Sequence, residues 1–390
     1  MKVLFLLRLW PIYGGGETVT RILANAFVER GLEVHVVFFK RTENNDNFFV
    51  DSRIVEHELR GHNCDEYNQD LTCSRRVCSE VCSIIDRHGI DIVIDQWFPF
   101  EYIQGIKSKT KAKVIKCWHT AFHIPRVFTD SFADRLRLLA KPFFENRARM
   151  RSVQNVDMYL PYVDKYVFLS DGFVDQYYKY SSHKDNSKIE AIPNPLTFNQ
   201  NISNDDLNNK ENIALVVGRM EESYKKLSYV IKAWHIIERS GRNTGWRLVF
   251  VGDGSSLEWY KTLSLKLGLR RVEFMGYQNP IDFYKKSKLF IMTSRYEGFG
   301  MTLVESQQMG VVPIVMDSVV CVKDIIQQRV NGIITPYGDI NKLSYNLQQL
   351  MNNENKRQQY MIKGIESCKK FEVNKIVDRW ITLFNHMCNG

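Results

Sequence analysis

Short runs of consecutive apolar residues recur along this chain, and they constrain its fold more than any other feature. Residues 3–7 and 34–39 form two such runs, and between them, over residues 19–27, apolar side chains recur at helical spacing. An uninterrupted apolar run indicates a strand covered on both faces, as in parallel sheets. Strands that alternate with amphipathic helices predict an α/β protein. Further runs follow at residues 90–94, 114–117 and 166–169.

A second series of runs follows a polar, asparagine-rich stretch at residues 199–212, which we expect to be a surface loop. At 390 residues the chain is long enough for two cores. We therefore predict two doubly wound, Rossmann-like domains, residues 1–190 and 191–372, which face each other across a ligand-binding cleft at the carboxyl ends of their strands. The second series comprises residues 213–217, 248–251, 272–275, 289–292, 312–316 and 332–335.

Composition is that of an ordinary globular protein, with 44% hydrophobic and 25% charged residues. The net charge of +9 favours an anionic partner, such as a nucleotide diphosphate, an anionic membrane surface or a nucleic acid. The opening apolar run is interrupted at Arg8 and is too short for a signal peptide or a membrane span, so we expect a cytoplasmic protein with reduced thiols. Cys73, Cys78 and Cys82 indicate a partly buried helix face rather than a metal site.

Two carboxylates eight positions apart, Glu297 and Glu305, bracket a glycine-containing loop where an apolar run gives way to a helical segment. Gly298 and Gly300 let the backbone approach a ligand closely, and amides at the start of the helix can face an anion. The carboxylates can then accept hydrogen bonds from two sets of hydroxyls, as a sugar attached to a nucleotide diphosphate would supply. The alternative for Glu305 is a capping box with Thr302, which would only satisfy the helix start.

Gly14, Gly15 and Gly16, followed by Glu17, lie between the first predicted strand and the first helix. Glycines here let the backbone pass close to a phosphate or a sugar while helix amides stay exposed. The alternative is a tight turn that needs positive φ. The segment lacks the Gly-x-Gly-x-x-Gly spacing of a dinucleotide site, which argues against an oxidoreductase.

His119 and Arg219 each follow an apolar run, so their side chains should project from the carboxyl ends of strands. A lone histidine is more often a structural hydrogen-bonding residue, and a pair such as Arg219 and Lys225 is more often solvated surface charge. Two fixed cations can nevertheless neutralise a leaving diphosphate without a metal. No Asp-x-Asp lies in a plausible metal-binding loop, so we expect neither a metal ion nor another cofactor.

These motifs and several others stand in the order of one known family along nearly the whole chain. The Glu-x7-Glu spacing, with Gly-Phe-Gly inside it, resembles the retaining nucleotide-sugar glycosyltransferases of family 4, which have the two-domain GT-B fold. The resemblance implies that a terminal helix, residues 373–390, completes the first domain. The other landmarks are Gly14-Gly15-Gly16-Glu17, His119-Thr120, Ile192-Pro193-Asn194-Pro195, Val217-Gly218-Arg219, Lys225, Val251-Gly252-Asp253-Gly254 and Phe274-Met275-Gly276-Tyr277.

The resemblance also implies roles for individual residues. Arg219 and Lys225 would meet the diphosphate, with Lys226 a substitute for Lys225 because the spacing is one residue longer than usual in the family. His119 would lie against the donor sugar, and Glu297 would accept bonds from its hydroxyls. The other implied donor-binding residues are Glu305 at the ribose, Tyr277 near the base, the backbone of Phe299, Gly300, Met301 and Thr302 at the phosphates, and Gly15, Gly16 and Glu17.

The implied enzyme is a retaining, metal-independent hexosyltransferase. It would move a hexosyl unit from a nucleotide diphosphate sugar, expected to be a UDP-sugar, to a hydroxyl of a glycan or lipid-linked acceptor in cell-surface polysaccharide synthesis. In the family mechanism the acceptor attacks the face from which the diphosphate leaves, and the diphosphate takes the acceptor's proton. A basic segment with interleaved apolar residues, 126–151, suits either the inner face of the cell membrane or a core-packed helix with a solvated basic face.

Three other classes of protein compete with this interpretation. A GT-B epimerase is disfavoured by the Gly-Phe-Gly, Glu-x7-Glu arrangement, and a phosphorylase would need a pyridoxal phosphate lysine and a much longer chain. A nucleic-acid-binding protein is suggested by charge alone; it predicts salt-sensitive binding to DNA or RNA and no turnover of nucleotide sugars. A catalytically silent GT-B subunit is disfavoured because Glu297, Arg219 and His119 are all present.

Overall fold

The computed structural model describes seven stretches of the chain in two compact units. Unit 1 takes in residues 1–122, 146–197 and the chain from residue 371 onward, and unit 2 is built on residues 198–370. The described residues are 1–11, 14–42, 49–60, 71–122, 141–183, 187–198 and 202–389, without the side chains of residues 71–74 and 141–145.

A seven-stranded parallel sheet forms the centre of unit 1, with the strand order β5-β3-β1-β6-β7-β8-β9. Strands β2 and β4 form a separate, short parallel pair, and they directly follow β1 and β3 in the chain. The strands are β1 (Lys2–Leu6), β2 (Leu9–Trp10), β3 (Glu33–Phe38), β4 (Lys40–Arg41), β5 (Val55–Glu58), β6 (Ile92–Asp95), β7 (Lys113–Trp118), β8 (Lys165–Phe168) and β9 (Ile189–Ala191).

The helices of unit 1 present apolar stripes to this sheet. Phe27 of the first helix stacks on Phe5 of β1 with ring centroids 5.9 Å apart, and Phe384 of the last helix meets Phe27 edge-on at 5.4 Å. The last helix therefore packs against the first one. The helices are α1 (Gly15–Glu29), α2 (Leu71–His88), α3 (Phe100–Lys109), α4 (Lys141–Tyr159), α5 (Asp171–Tyr180) and, at the end of the chain, α15 (Val373–Asn389).

Unit 2 contains a six-stranded parallel sheet with the order β12-β11-β10-β13-β14-β15. Its core includes the fully buried rings of Trp234 and Phe250. The strands are β10 (Glu211–Val217), β11 (Arg247–Val251), β12 (Val272–Phe274), β13 (Ser287–Met292), β14 (Val312–Asp317) and β15 (Ile333–Pro336). The helices are α6 (Asn204–Asn208), α7 (Glu222–Lys225), α8 (Ser228–Arg239), α9 (Leu257–Lys266), α10 (Ile281–Lys286), α11 (Met301–Gln308), α12 (Cys321–Ile325), α13 (Ile340–Met351) and α14 (Glu354–Cys368).

The asparagine-rich stretch differs from the predicted surface loop. Within its described part, α6 forms behind a capping box, in which Ser203 accepts a hydrogen bond from the Asp206 amide and Asp206 accepts one from the Ser203 amide. The next lysine, Lys210, is buried and donates to the carbonyls of Tyr284, Lys285 and Ser287 at 2.8–3.1 Å. The segment lies at the surface as predicted, because α6 has no buried residue, but it is helical and not a loop because its polar side chains cap the helix start.

Several other predictions from the sequence can be placed on the structure. Cys78 and Cys82 are buried on α2, as expected of a partly buried helix face, whereas the side chain of Cys73 lies outside the described residues. Residues 126–140 of the predicted basic segment also lie outside them. In the described part of the chain, no helix is both long and apolar enough to cross a bilayer.

Candidate active site

Three glycines bring the carboxyl ends of β10, β11 and β12 into close contact. The Gly218 amide donates to Val251 O at 3.0 Å, and the Gly252 amide donates to Gly276 O at 2.8 Å. Gly252 has φ +137°, and a Cβ there would overlap the carbonyl of Gly218. Only glycine fits at this crossing, since a side chain would push the β10 and β11 loops apart. The crossing sets the position of the loop that starts at Gly218.

A lysine–glutamate pair lies beside this loop. Lys225, the last residue of α7, donates from Nζ to Oε1 of Glu297, which follows β13 in the chain. Ser294 Oγ donates to the same carboxylate oxygen at 2.7 Å. The side chains of Lys225 and Glu297 are 22% and 14% exposed. Because the pair is mostly desolvated, its electrostatic interactions are stronger than those of a surface ion pair.

Backbone contacts hold the two loops that carry this pair. The Thr293 hydroxyl lies 3.0 Å from the carbonyls of both Lys225 and Lys226, and the Arg295 amide donates to Tyr224 O at 2.7 Å. A small pocket opens between them. Its lining includes Gly218, Arg219, Lys225, Thr293, Ser294 and Thr302.

Two further cations near the pocket, Arg219 and Lys226, have other partners than Glu297. The Arg219 side chain is 73% exposed, with its guanidinium 3.7 Å from the Glu221 carboxylate. Lys226 turns the other way, because its backbone is left-handed (φ 51°) and its Nζ lies 3.3 Å from Glu222. Glu222 is a structural anion that also accepts from the Ser228 and Tyr260 hydroxyls. The structure therefore brings Lys225, and not Lys226, to Glu297.

Helix α11 begins at the far side of the pocket. Gly300 is its N-cap residue, with φ +87°, and it makes no side-chain cap. Phe299 is buried, so the chain enters the helix anchored by that ring. Met301 and Thr302 form the first turn, at the positive end of the helix dipole, which favours an anion.

The capping box considered for Thr302 and Glu305 does not form. The helix begins two residues earlier than that box requires, because Gly300 and not Thr302 is the N-cap, and Glu305 falls in the second turn rather than the first. Glu305 is buried and accepts a hydrogen bond from the Tyr284 hydroxyl at 3.1 Å. Tyr277 is 56% exposed and follows Gly276, whose φ is +70°. The structure does not bring Tyr277 and Glu305 into the pocket lining.

In unit 1, the glycine segment begins helix α1 directly. Gly14 is the N-cap with φ −132°, and neither Gly15 nor Gly16 has positive φ, so the alternative of a positive-φ turn is wrong. Close approach to neighbouring side chains applies at Gly14 and Gly16, whereas nothing lies within 4 Å of a Cβ added at Gly15. A Cβ on Gly14 would lie 2.5 Å from the Glu17 carboxylate, and one on Gly16 would lie 3.1 Å from the Trp97 ring.

Trp97 connects this segment to His119. The two rings lie 5.1 Å apart between centroids, and His119 Nε2 hydrogen bonds to the buried Gln96 side chain. Burial, together with a smaller contribution from the nearby Lys116 ammonium, lowers the pKa of His119 to about 3. His119 is therefore a neutral hydrogen-bonding group at physiological pH.

A buried ion pair lies behind His119. Lys116 Nζ is 2.6 Å from Asp95 Oδ2, and the Phe98 amide donates to Asp95 Oδ1 at 2.7 Å. Burial raises the pKa of Asp95, and the Lys116 charge opposes that rise. The pair fixes the ends of β6 and β7, from which Gln96 and His119 project.

Sequence reasoning missed Gln96, Trp97 and Ser294. Gln96 and Trp97 directly follow the end of β6, so the rule that singled out His119 after β7 would also have found them. Ser294 follows β13 by two residues and lies three before Glu297. The sequence signal for Ser294 was a hydroxyl only three residues before Glu297, which the motif had already singled out.

Two family models match the chain. The model described as Glycosyltransferase Family 4 matches residues 13–199, and the one described as Glycosyl transferases group 1 matches residues 198–367. The chain belongs to glycosyltransferase family 4. The predictions of this family and of its two-domain GT-B fold are confirmed.

Two curated relatives of this family-4 chain are named as transferases that act on bacterial glycans. A Campylobacter jejuni α-1,4-N-acetyl-D-galactosaminyltransferase, named for an undecaprenol diphosphate-linked acceptor, is 27% identical over 204 residues, covering 52% of this chain and 56% of the relative. An Escherichia coli lipopolysaccharide 1,6-galactosyltransferase is 24% identical over 366 residues, 87% of this chain and 86% of its own length. The chain spans only about half the length of several curated relatives that it matches.

A solved structure shows the same fold. The crystal structure of a Staphylococcus aureus TarM mutant, in complex with Fondaparinux, alpha-GlcNAc-glycerol and UDP, superposes with a TM-score of 0.74 at 14% identity. The match covers 98% of this chain and 99% of that one. At this identity the likeness concerns the fold alone.

Proposed function

We propose that the protein is a retaining hexosyltransferase that uses a UDP-sugar and acts in glycan biosynthesis. The observation that carries the proposal is the lysine–glutamate pair beside the pocket of unit 2. Lys225 and Ser294 both donate to Oε1 of Glu297 and so hold the carboxylate in one orientation. A carboxylate has about four lone-pair sites, so Oε2 is left to accept from the hydroxyls of a donor sugar.

The cations of the same loop suit a diphosphate. Lys225 is a mostly buried ammonium, and Arg219 offers an exposed guanidinium fork just after the end of β10. Arg binds phosphate oxygens at two points and Lys acts as a point charge, so together they can bind both phosphates. The amides of the first turn of α11 add partial positive charge beside the pocket.

These groups favour loss of the diphosphate from the sugar. The bond between the sugar C1 and the diphosphate oxygen breaks, and its electron pair stays on the diphosphate, where Arg219 and Lys225 stabilise the charge. The acceptor hydroxyl forms the new C1–O bond on the same face. Its proton passes to the leaving diphosphate, so the step balances without an enzymatic nucleophile. For His119 of unit 1 we propose only the role that the resemblance implies, that of a neutral imidazole that hydrogen bonds to the donor sugar.

The donor and acceptor classes rest on relatives. UDP is bound in the TarM crystal structure, and the Campylobacter relative is named for a lipid-linked acceptor. We assign this protein a UDP-linked donor and a glycan or lipid-linked acceptor at the inner face of the cell membrane. Unit 1 handles the acceptor in this proposal, as the first domain does in the family that the chain resembles.

A panel of nucleotide sugars tests the proposal. The purified wild type should be thermally stabilised by one UDP-sugar, and it should hydrolyse that sugar slowly or transfer it. Glu297→Ala should abolish transfer while the protein stays folded, because a loop carboxylate adds little to the core. The matched control is Glu258→Ala, since Glu258 lies on α9 with its side chain 82% exposed.

Product stereochemistry completes this test. Nuclear magnetic resonance of the product should show the anomeric configuration of the donor. A protein that no nucleotide sugar stabilises, or a Glu297→Ala variant with wild-type turnover, would remove the proposal. An inverted anomeric centre would contradict the retaining mechanism alone.

A further inference from the structure

Three histidines from separate elements of unit 1 converge away from the candidate active site. They are His35 on β3, His57 on β5 and His88, the last residue of α2. One nitrogen from each ring lies within 4.8 Å of the others. His35 is the third residue of β3 and His88 ends α2 shortly before β6, whereas His119 follows the carboxyl end of β7. In a parallel sheet, the histidine cluster therefore lies toward the amino ends of the strands, whereas His119 lies at the carboxyl ends.

The sheet pattern explains the convergence. Glu33 and His35 lie two residues apart on β3 and so point to the same face. His57 pairs with Val37 across the β3–β5 ladder, which puts His57 on that face as well. His35 and His57 stack with ring centroids 5.2 Å apart, and His88 meets both rings at 4.8 and 5.0 Å.

Hydrogen bonds fix the tautomer of the buried histidine. His35 Nε2 lies 3.0 Å from Glu33 Oε1, and a carboxylate only accepts, so this nitrogen carries the proton. His35 Nδ1 therefore presents its lone pair to His57 Nε2, 2.9 Å away. A metal-binding histidine commonly donates its second ring N–H to a carboxylate, which orients the ring and increases its basicity. Glu33 and His35 already form that arrangement.

We propose that His35 Nδ1, His57 and His88 form a binding site for a divalent zinc-type metal ion, with Glu33 as the carboxylate that orients His35. Imidazole nitrogens suit zinc, and tetrahedral coordination at about 2.0–2.1 Å needs nitrogens roughly 3.4 Å apart. The nitrogens within 4.8 Å need only small side-chain rotations to reach that spacing. His57 can move its proton from Nε2 to Nδ1, so both rings bind as neutral ligands.

The surroundings of this histidine cluster are consistent with a structural metal site. The rings of His57 and His88 are partly exposed, which gives an ion access from solvent. Lys2 lies 3.2 Å from Glu33 and Arg87 precedes His88, so two cations moderate the affinity. A bound ion would join edge strand β5 to β3 and α2.

The test measures metal binding rather than transfer activity. The full-length wild type is stripped with EDTA, freed of chelator and titrated with ZnCl2 by calorimetry, and Co²⁺ absorption is recorded in parallel. We expect one zinc per chain, and an unfolding temperature about 5 °C higher at a 100-fold excess over Kd. Glu33→Gln should weaken binding roughly 10- to 100-fold, as expected for the loss of an orienting carboxylate.

Substitutions separate this cluster from other ligands. His57→Gln and His88→Gln should lose the site, while His183→Gln, a change at an exposed histidine of the same unit, should bind like wild type. Cys78→Ser should also bind normally, and the cobalt spectrum should lack thiolate bands. Circular dichroism in the presence of EDTA checks that each variant is folded. His88→Gln should disturb packing least, because His88 is the last residue of α2. Equal zinc affinity in His88→Gln and wild type, or no saturable binding by wild type, would overturn the proposal.

Discussion

Lys225 and Lys226 are adjacent and carry the same charge, yet their contacts differ. Lys225 binds Glu297, and Lys226 pairs with the structural anion Glu222. Lys225→Ala should therefore lose a charge-assisted contact to the leaving group, about 2–4 kcal/mol or roughly 30- to 1,000-fold in turnover. Lys226→Ala, the matched control, should keep near wild-type turnover. Steady-state kinetics of the two variants measure this difference. Wild-type turnover in Lys225→Ala together with a large loss in Lys226→Ala would show that Lys226, and not Lys225, binds the diphosphate.

His119 should show no charge change in the working pH range. Burial lowers its pKa to about 3, so the ring becomes charged only below that pH and stays neutral as pH rises from 5 to 8. We expect kcat/KM plotted against pH to keep its shape in His119→Asn, which retains a hydrogen-bonding side chain, even if the rate falls. An acid limb near pH 6–7 in wild type that disappears in His119→Asn would show that the ring titrates in the free enzyme.

At the scale of elements, the glycine crossing of β10 and β11 should be a weak point for substitution. Gly252→Ala combines a backbone overlap at Gly218 with a φ of +137°, so it should destabilise unit 2 by more than about 3 kcal/mol. Gly268→Ala is the control, because its φ is +68° but nothing lies within 4 Å of the added Cβ. It should cost about 1–2 kcal/mol. Urea unfolding of both variants measures the difference, and equal losses would show that strain alone matters at Gly252.

The elements also show which parts of the fold a pattern can predict. All eleven strands expected from apolar runs occur, because strands covered on both faces need no polar residue. Four of the described strands were missed. Strands β2 and β4 contain only two residues each. Strand β5 reads Val55-Glu56-His57-Glu58, and both β5 and β9 are edge strands with one neighbour. An edge strand needs few apolar residues, so its sequence resembles a loop. Helix α6 was missed for a related reason, because its capping residues have loop-like composition.

For the molecule as a whole, the cations of unit 2 predict transfer that does not require magnesium. Arg219 and Lys225 supply the positive charge that a hard divalent ion would otherwise give a diphosphate. After chelation with EDTA, activity should persist, and added Mg²⁺ or Mn²⁺ should not raise the rate. The histidine cluster prefers imidazole-binding metals, so zinc content measured in the same samples separates the two effects. Activity lost on chelation and restored by Mg²⁺ would contradict this prediction.

The sequence by itself determined the parallel α/β architecture and the family, and it singled out candidate site residues. Apolar periodicity and glycine spacing are local properties, and the carboxyl ends of strands follow from them. His119, Arg219 and Glu297 could be singled out because each follows such an end.

Only the tertiary structure decided which side chains meet. Lys225 reaches Glu297 across 72 positions of sequence, and the left-handed backbone of Lys226 sends the neighbouring lysine to Glu222. Strand pairing and the end of a helix bring together His35, His57 and His88, whose spacing in the sequence matches no metal-binding motif. Contacts of this kind depend on register and packing between distant segments, which a local pattern does not contain.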